Sequence, residues 1–356
     1  MEKPLHDAGM KNTPKPRAGL TMGGFTKIRA PTQVAGGWQL QPASGRIAGA
    51  VVLGIITVFW NGFVWLVLRQ MWTDFTWGAI FGTLFLSIFA LLGLLLAGLF
   101  VHTLLKALFT PRPTLELASD TIDPARTTQV RWSLSGKRPL ADLRISLVLR
   151  EECQYRRGTD TLTDRHEVRE LVLFERPEPA HEGTLSLTIP ADLPPSFASK
   201  NNQLLWCLRL RGSVPKLPDV DDEFPLVVRP ATLATASIFA TPLPSGSVLP
   251  DDTPALALAG QATAGNAVAG VVHVPGRDVH LRLRWSTSGK GDSHSELLCD
   301  TLISGGVSAF FLTLPSLPPA WSGTVLSITW QLEAVVENEV IAVLPISSTA
   351  PVDAAS

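Results

Sequence analysis

Two long apolar runs constrain this chain of 356 residues more than any other feature. Residues 47–68 and 78–101 carry no charged side chain. Each exceeds the roughly 20 residues that cross a hydrocarbon layer about 30 Å thick. The polar segment between them, 69–76, has room only for a turn, so the runs read as antiparallel helices with both outer ends on one side. Trp72 and Trp77 flank that turn, where interfacial aromatic residues are expected.

Charge sets the expected orientation. Residues 1–46 hold Lys3, Lys11, Lys15, Arg17, Lys27, Arg29 and Arg46 against only Glu2 and Asp7, and His102, Lys106 and Arg112 follow the second run. The turn is nearly neutral. By the positive-inside rule the basic side is cytoplasmic, and an inner membrane of bacterial type is the expected location. The N-terminus and everything beyond residue 108 then face the cytoplasm. The arm itself, 1–46, shows no apolar period and is rich in Gly, Pro, Lys and Thr, so a mostly disordered segment is predicted. It serves topology or, alternatively, binds anionic lipid or a partner.

Within the hairpin, taken as 47–108, Asn61 is the strongly polar side chain of the first run. It is expected to seek Thr83 or Ser87 on the second helix. So few ionisable groups suit an anchor better than a transport path. The small-residue pairs Gly45–Gly49, Gly78–Gly82 and Gly93–Ala97 allow close helix approach and leave a homo-oligomer open.

After Pro111 and Pro113 the apolar period changes from helical to two. Val130, Trp132 and Leu134 alternate with polar residues, as do Leu143, Ile145, Leu147 and Leu149. Trp206, Leu208 and Leu210, then Phe224, Leu226 and Val228, continue the pattern. Short alternating strands between Pro, Gly and Asp turns predict an antiparallel β-sandwich over 113–230. An Ala/Pro-rich stretch, 231–265, reads as a linker with a strand at its end. Alternation returns at Val279, Leu281, Leu283 and Trp285, predicting a second sandwich over 266–347 before a flexible tail, 348–356.

The two β regions repeat one motif. Leu193-Pro194-Pro195-Ser196-Phe197 precedes Trp206 and Leu208, and Leu317-Pro318-Pro319-Ala320-Trp321 precedes Trp330 and Leu332 at the same spacing. A double proline stops a strand and turns the chain between sheets, after which a Trp anchors the next strand. Trp132, Pro194, Pro195, Phe197, Trp206, Trp285, Pro318, Pro319, Trp321 and Trp330 are therefore the predicted core anchors. The order of a Pro-ended strand, the double-Pro crossing, the Trp strand and a closing Phe-Pro-Leu-Val-Val resembles arrestin-like domains, tandem immunoglobulin-like sandwiches found in arrestins and retromer subunits. The resemblance covers about 113–345. It implies a non-catalytic adaptor that binds proteins through sheet edges and loops. The arrestin residues that sense phosphate have no recognisable counterpart here, so phosphate recognition is not implied.

The expected fold class is thus an N-terminal two-helix transmembrane hairpin followed by all-β structure, two antiparallel immunoglobulin- or arrestin-like sandwiches. Two charged clusters, Glu151 to Glu170 and Asp219 to Glu223, are expected to be solvated, as are the strips Arg209 with Arg211 and Arg282 with Arg284. The segment Ser288 to His294 lacks phosphate-loop spacing and reads as a hairpin turn. Cys153, Cys207 and Cys299 form no disulfide framework or zinc motif, and the seven His are dispersed. No catalytic, metal or cofactor set is expected, and no nucleic acid as partner. The function expected is a membrane-anchored adaptor or scaffold, with the lipid bilayer and unidentified proteins as partners. The alternatives are a periplasm-facing sandwich protein in envelope assembly or adhesion, and an accessory subunit of a transporter or channel.

Overall fold

The computed structural model describes residues 19–21, 25–43, 46–73, 77–124, 126–136, 138–190, 192–215, 217–230, 234–242, 255–262, 265–274, 276–303 and 306–346. The expectations for residues 1–18 and for the tail lie outside them. Three short strands come first: β1 (Gly19–Thr21), β2 (Thr32–Val34) and β3 (Gly37–Gln39). The helices α1 (Arg46–Thr73) and α2 (Trp77–Phe109) follow. The first β region then continues with β4 (Arg112–Leu117), β5 (Thr128–Ser135), β6 (Ala141–Arg157), β7 (Asp160–Arg176), β8 (Glu182–Leu187), β9 (Phe197–Ala198), β10 (Asn202–Ser213) and β11 (Val220–Leu226). The second holds β12 (Ser237–Pro242), β13 (Ala255–Leu258), β14 (Ala267–Val274), β15 (Val279–Gly289), β16 (His294–Ile303), β17 (Gly306–Thr313), β18 (Trp321–Ser322), β19 (Leu326–Val336) and β20 (Glu339–Ile346).

The helices are long and apolar enough to cross a membrane. Little of their apolar surface is covered by protein: Val58, Phe59 and Phe81 are each about three-quarters exposed. A core helix of a water-soluble domain would bury such residues, whereas a lipid surround stabilises them. Both helices outrun the expected spans. The 33 residues of α2 rise about 50 Å, more than the roughly 30 Å of a hydrocarbon layer, and Lys106 lies in its last turn.

Polar side chains of α1 tie it to the backbone of α2. Asn61 Nδ2 donates to the Gly93 carbonyl at 3.2 Å and to the Thr57 carbonyl at 2.9 Å, and Trp60 Nε1 donates to the Phe89 carbonyl at 3.0 Å. Asn61 therefore does cross to the second helix, but not to Thr83 or Ser87. Those residues lie nearer the turn: Thr83 accepts from Trp72 Nε1, and Ser87 donates to its own helix at Leu84. In an antiparallel pair, depth is set by distance from the turn, and Asn61 is level with Gly93. A Cβ at Gly93 would collide with the Asn61 amide. Gly93→Leu is expected to force the helices apart there and cost about 2–3 kcal/mol through overpacking and a lost hydrogen bond. A cysteine-crosslinking scan between the helices in liposomes, showing unchanged proximity, would refute this.

The N-terminal arm is not disordered where it is described. β2 and β3 form a hairpin whose second strand pairs with β4, opposite Leu117 and Glu116, giving a sheet in the order β2-β3-β4-β5-β8. β1 adds to the edge of the facing sheet, ordered β1-β7-β6-β10-β11. The membrane hairpin is consequently an insertion inside the first sandwich. It leaves after β3 and returns as β4, and those two strands are hydrogen-bonded neighbours.

The predicted linker also contributes structure. Ser237–Pro242 and Ala255–Leu258 are the two edge strands of a sheet ordered β12-β17-β14-β13, which packs against the sheet β16-β15-β19 bearing β18 and β20. The motif repeat proves to be a repeat of topology. In the first sandwich β4 pairs β5, β5 pairs β8, β6 pairs β7 and β10, and β10 pairs β9 and β11. Advancing each label by nine gives the matching pairs of the second sandwich.

The motif's spacing has a mechanical cause. Trp206 Nε1 donates to the Pro194 carbonyl at 2.9 Å, and Trp330 Nε1 donates to the Pro318 carbonyl at 3.2 Å. Each buried indole thus satisfies its polar atom on the crossing that precedes it, which fixes the strand against the core. Trp132, Pro194, Trp206, Trp285, Pro318, Trp321 and Trp330 are buried, whereas Pro195, Pro319 and Phe197 are half-buried.

Candidate functional site

β6 and β7 each run 17 residues and β10 runs 12, but the facing strands β4, β5 and β8 have only 6 to 8. One sheet therefore overhangs the other. The inward face of the overhang needs a cover, and the second sandwich supplies it.

Glu151 stands at the centre of that junction. The alternation Leu143, Ile145, Leu147, Leu149 points inward, and Glu151 continues it. Its Oε1 accepts the Trp321 indole N–H at 2.8 Å. Its Oε2 accepts the backbone N–H of Val325 at 2.8 Å and of Leu326 at 3.3 Å. The carboxylate is fully buried. Gly323 gives it room, since a Cβ there would overlap Oε1.

Neighbouring residues complete the joint. Cys153 Sγ donates to the Val325 carbonyl at 3.1 Å, and Asn202 Nδ2 donates to Thr287 Oγ1 at 3.1 Å and to the Asp292 carbonyl at 3.0 Å. Lys290 forms an ion pair with Asp164 at 3.0 Å. Phe197 packs edge-on against Trp285, with ring centroids 5.6 Å apart. The equivalent aromatic residues of the two motif copies, Phe197 and Trp321, thus each reach across to the other sandwich instead of anchoring only their own. The turn expected at Ser288 to His294 is present, and it docks on the first sandwich. A polar cavity of about 400 Å³ opens beside it, with Tyr155, Arg156, Lys200 and Asp292 in its wall.

The next residue along β6 points the other way. Glu152 is also fully buried, on the outer face. Its carboxylate accepts the Thr26 backbone N–H at 2.8 Å, the Thr26 hydroxyl at 2.5 Å, Gln203 Nε2 at 2.8 Å and Arg165 Nε at 3.1 Å. Gln203 Nε2 also donates to the Thr26 carbonyl at 3.2 Å. The arm is therefore held on the outer face by the residue adjacent to the one that holds the second sandwich.

Beside Glu152 lies a network of two arginines and two glutamates. Arg150 donates to Glu223 at 2.6 and 2.9 Å and to Glu167 at 3.2 Å, and Arg209 bonds to both glutamates. Arg150 and Arg209 are each only 5% exposed. Burial opposes the charge on Glu223, yet the hydrogen bond and charge of Arg150, joined by Arg209, hold its pKa down to about 2. Glu167 is likewise lowered: burial works against its charge and the Arg209 hydrogen bond prevails. Burial pushes the Cys153 and Cys207 thiols up to about 12, which keeps both protonated and poor nucleophiles.

These findings revise the reading of the charged clusters. Glu151, Glu152, Asp222 and Arg209 are buried, not solvated, and Glu167 and Glu223 are mostly covered. Arg211, Arg282 and Arg284 are half-buried or better and pair with Asp221, Asp300 and Glu333. One signal in the chain pointed to the junction: extending the β6 alternation past Leu149 puts Glu151 inward, and an inward carboxylate needs donors. Among the described residues no group of three or more His, Cys, Asp or Glu could hold a metal ion. No protein-family model matches the chain, and no curated protein matches it.

Proposed function

We propose that the chain is a membrane-anchored, non-catalytic adaptor that presents two arrestin-like sandwiches to the cytoplasm. The observation that carries this reading is the way the parts are joined. The anchor is spliced between neighbouring strands of the first sandwich, and the second sandwich is latched to the first through the buried Glu151. Such joints hold surfaces at a fixed distance and angle from a bilayer, which is what a scaffold requires. The shared pairing scheme of the two sandwiches supports the arrestin-like comparison, and the basic flanks of the hairpin support the cytoplasmic orientation.

The second sandwich offers a surface for a partner. The sheet β12-β17-β14-β13 has no Asp, Glu, Lys or Arg in any of its strands. On its outer face Phe239 and Phe311 are register partners, 68% and 52% exposed. Contiguous apolar surface of this kind marks interaction sites. Crosslinking in intact cells, followed by identification of captured proteins, is expected to give a defined partner with the native chain and none with Phe239→Ser/Phe311→Ser. Equal capture by both would overturn this surface as the docking site. A phosphatase fusion after Ser356 that is active, with a dark fluorescent-protein fusion at the same place, would overturn the orientation.

A further inference from the structure

The helices of the hairpin do not meet evenly along their length. At the end beside the first sandwich a groove of about 650 Å³ runs between them, from Ile47 to Phe59 on α1 and from Phe100 to Leu108 on α2. Every residue that lines it is apolar. Just past Phe59 the helices are tied, by Trp60 to the Phe89 carbonyl and by Asn61 to the Gly93 carbonyl, and the groove stops. Its mouth is at the opposite end, where Ala107 lines it and Arg112 Nη2 donates to the Ala107 carbonyl at 3.5 Å. Arg112 is exposed, and among the described residues that is the one hydrogen bond of its guanidinium. Lys106 stands in the same last turn of α2.

Length and chemistry together name an occupant. From Ile47 to Phe59 α1 rises about 18 Å, close to one leaflet, half of a hydrocarbon layer about 30 Å thick. A partner helix that crossed the bilayer would need a groove running on past Phe59, and the tied helices offer none. Water does not fill an apolar groove, and leaving it empty forfeits packing on both walls. A lipid acyl chain has the length and the apolarity to fill it. The cations at the mouth then sit at the depth of that lipid's phosphate, which a guanidinium holds through two parallel N–H bonds. An anionic headgroup complements them, whereas a zwitterionic one brings a cation of its own.

Resting on the bilayer-spanning reading of the helices, we propose that this groove is a lipid site. It holds one acyl chain of an anionic phospholipid from the leaflet beside the sandwiches, with the phosphate on Arg112 and Lys106. The test places the full chain in liposomes of mixed phosphatidylglycerol and phosphatidylcholine, one or the other carrying a photoreactive diazirine on an acyl chain, and maps the adducts by mass spectrometry. Adducts from phosphatidylglycerol are expected to concentrate on groove residues over Val52 and Ile56, which are exposed at the same depth outside the groove, and to exceed those from phosphatidylcholine. Arg112→Gln should lower groove labelling by phosphatidylglycerol about fivefold, the worth of one basic residue beside an anionic lipid surface, and leave Val52 and Ile56 unchanged. Val51→Trp, which adds an indole from an exposed position in the groove wall, should abolish groove labelling. The site is overturned, with the anchor reading intact, if the chain resists alkaline extraction but the label spreads evenly over Val52, Ile56 and the groove. Equal labelling of the groove by the two lipids, no effect of Arg112→Gln, or a groove shielded from both lipids by another helix would overturn it equally. Release of the chain by alkaline extraction would overturn the anchor reading and the site with it.

Discussion

Glu151→Leu is expected to uncouple the two sandwiches. The substitution keeps the side chain's bulk but removes the acceptor of three buried donors, the Trp321 indole and the amides of Val325 and Leu326. Each buried donor left without a partner costs about 1–3 kcal/mol, so a loss of about 4 kcal/mol or more falls on this one junction. Because both cores are untouched, the loss should appear as separation and not as general unfolding. In nanodiscs a single thermal transition should split into two, and hydrogen exchange at Val325 and Leu326 should accelerate by orders of magnitude. Glu151→Gln retains one acceptor oxygen and should fall in between. A Leu variant with a single, unshifted transition would show that apolar packing, including that of Phe197 on Trp285, holds the sandwiches together without the carboxylate.

The second large effect belongs to the network under the arm. Arg209→Met leaves Glu167 and Glu223 sharing only Arg150 in a largely covered site, and breaking one side of a buried ion network costs about 3–5 kcal/mol. The loss should be read from denaturant unfolding of the full chain in detergent micelles. An accompanying pH dependence checks the cause. Glu223 has its pKa lowered from 4.5 to about 2 by folding. A carboxylate depressed in the folded state adds stability that is complete above its unfolded value and is lost as pH falls through the folded one. The wild-type advantage over Glu223→Gln should therefore be about 3 kcal/mol above pH 5, at about 1.4 kcal/mol per pKa unit, and should shrink toward zero near pH 2. A gap independent of pH would mean that Glu223 is not held by its arginines.

How much of this was legible in the chain depends on how far apart the cooperating residues lie. The apolar runs and the period-two strands are local patterns, and they are where the sequence places them. The Pro-Pro-to-Trp spacing is local too, and the Trp-to-Pro carbonyl bond explains it. The strands of the arm were not legible, because three-residue strands in a Gly- and Thr-rich stretch have no period of their own and exist only by pairing with β4 and β7. The burial of Glu151 depends on donors some 170 residues downstream, and that of Glu152 on Thr26, 126 residues upstream. A charge-dense segment looks solvated until the surfaces that cover it are known. Asn61 was assigned to the wrong partner for a simpler reason: depth in a hairpin is counted from its turn, and Thr83 and Ser87 are too close to it.

Placing the hairpin between β3 and β4 also orders the events of synthesis. β1, β2 and β3 leave the ribosome before either helix, and β4 only after both. The first sandwich cannot complete its sheets while the arm waits for strands that have not yet arrived. If only one helix crossed, β3 and β4 would be stranded on opposite sides of the bilayer, and no rearrangement of loops could reunite them. Pairing of β3 with β4 therefore requires the two helices to share one fate, so that neither can cross a membrane without the other.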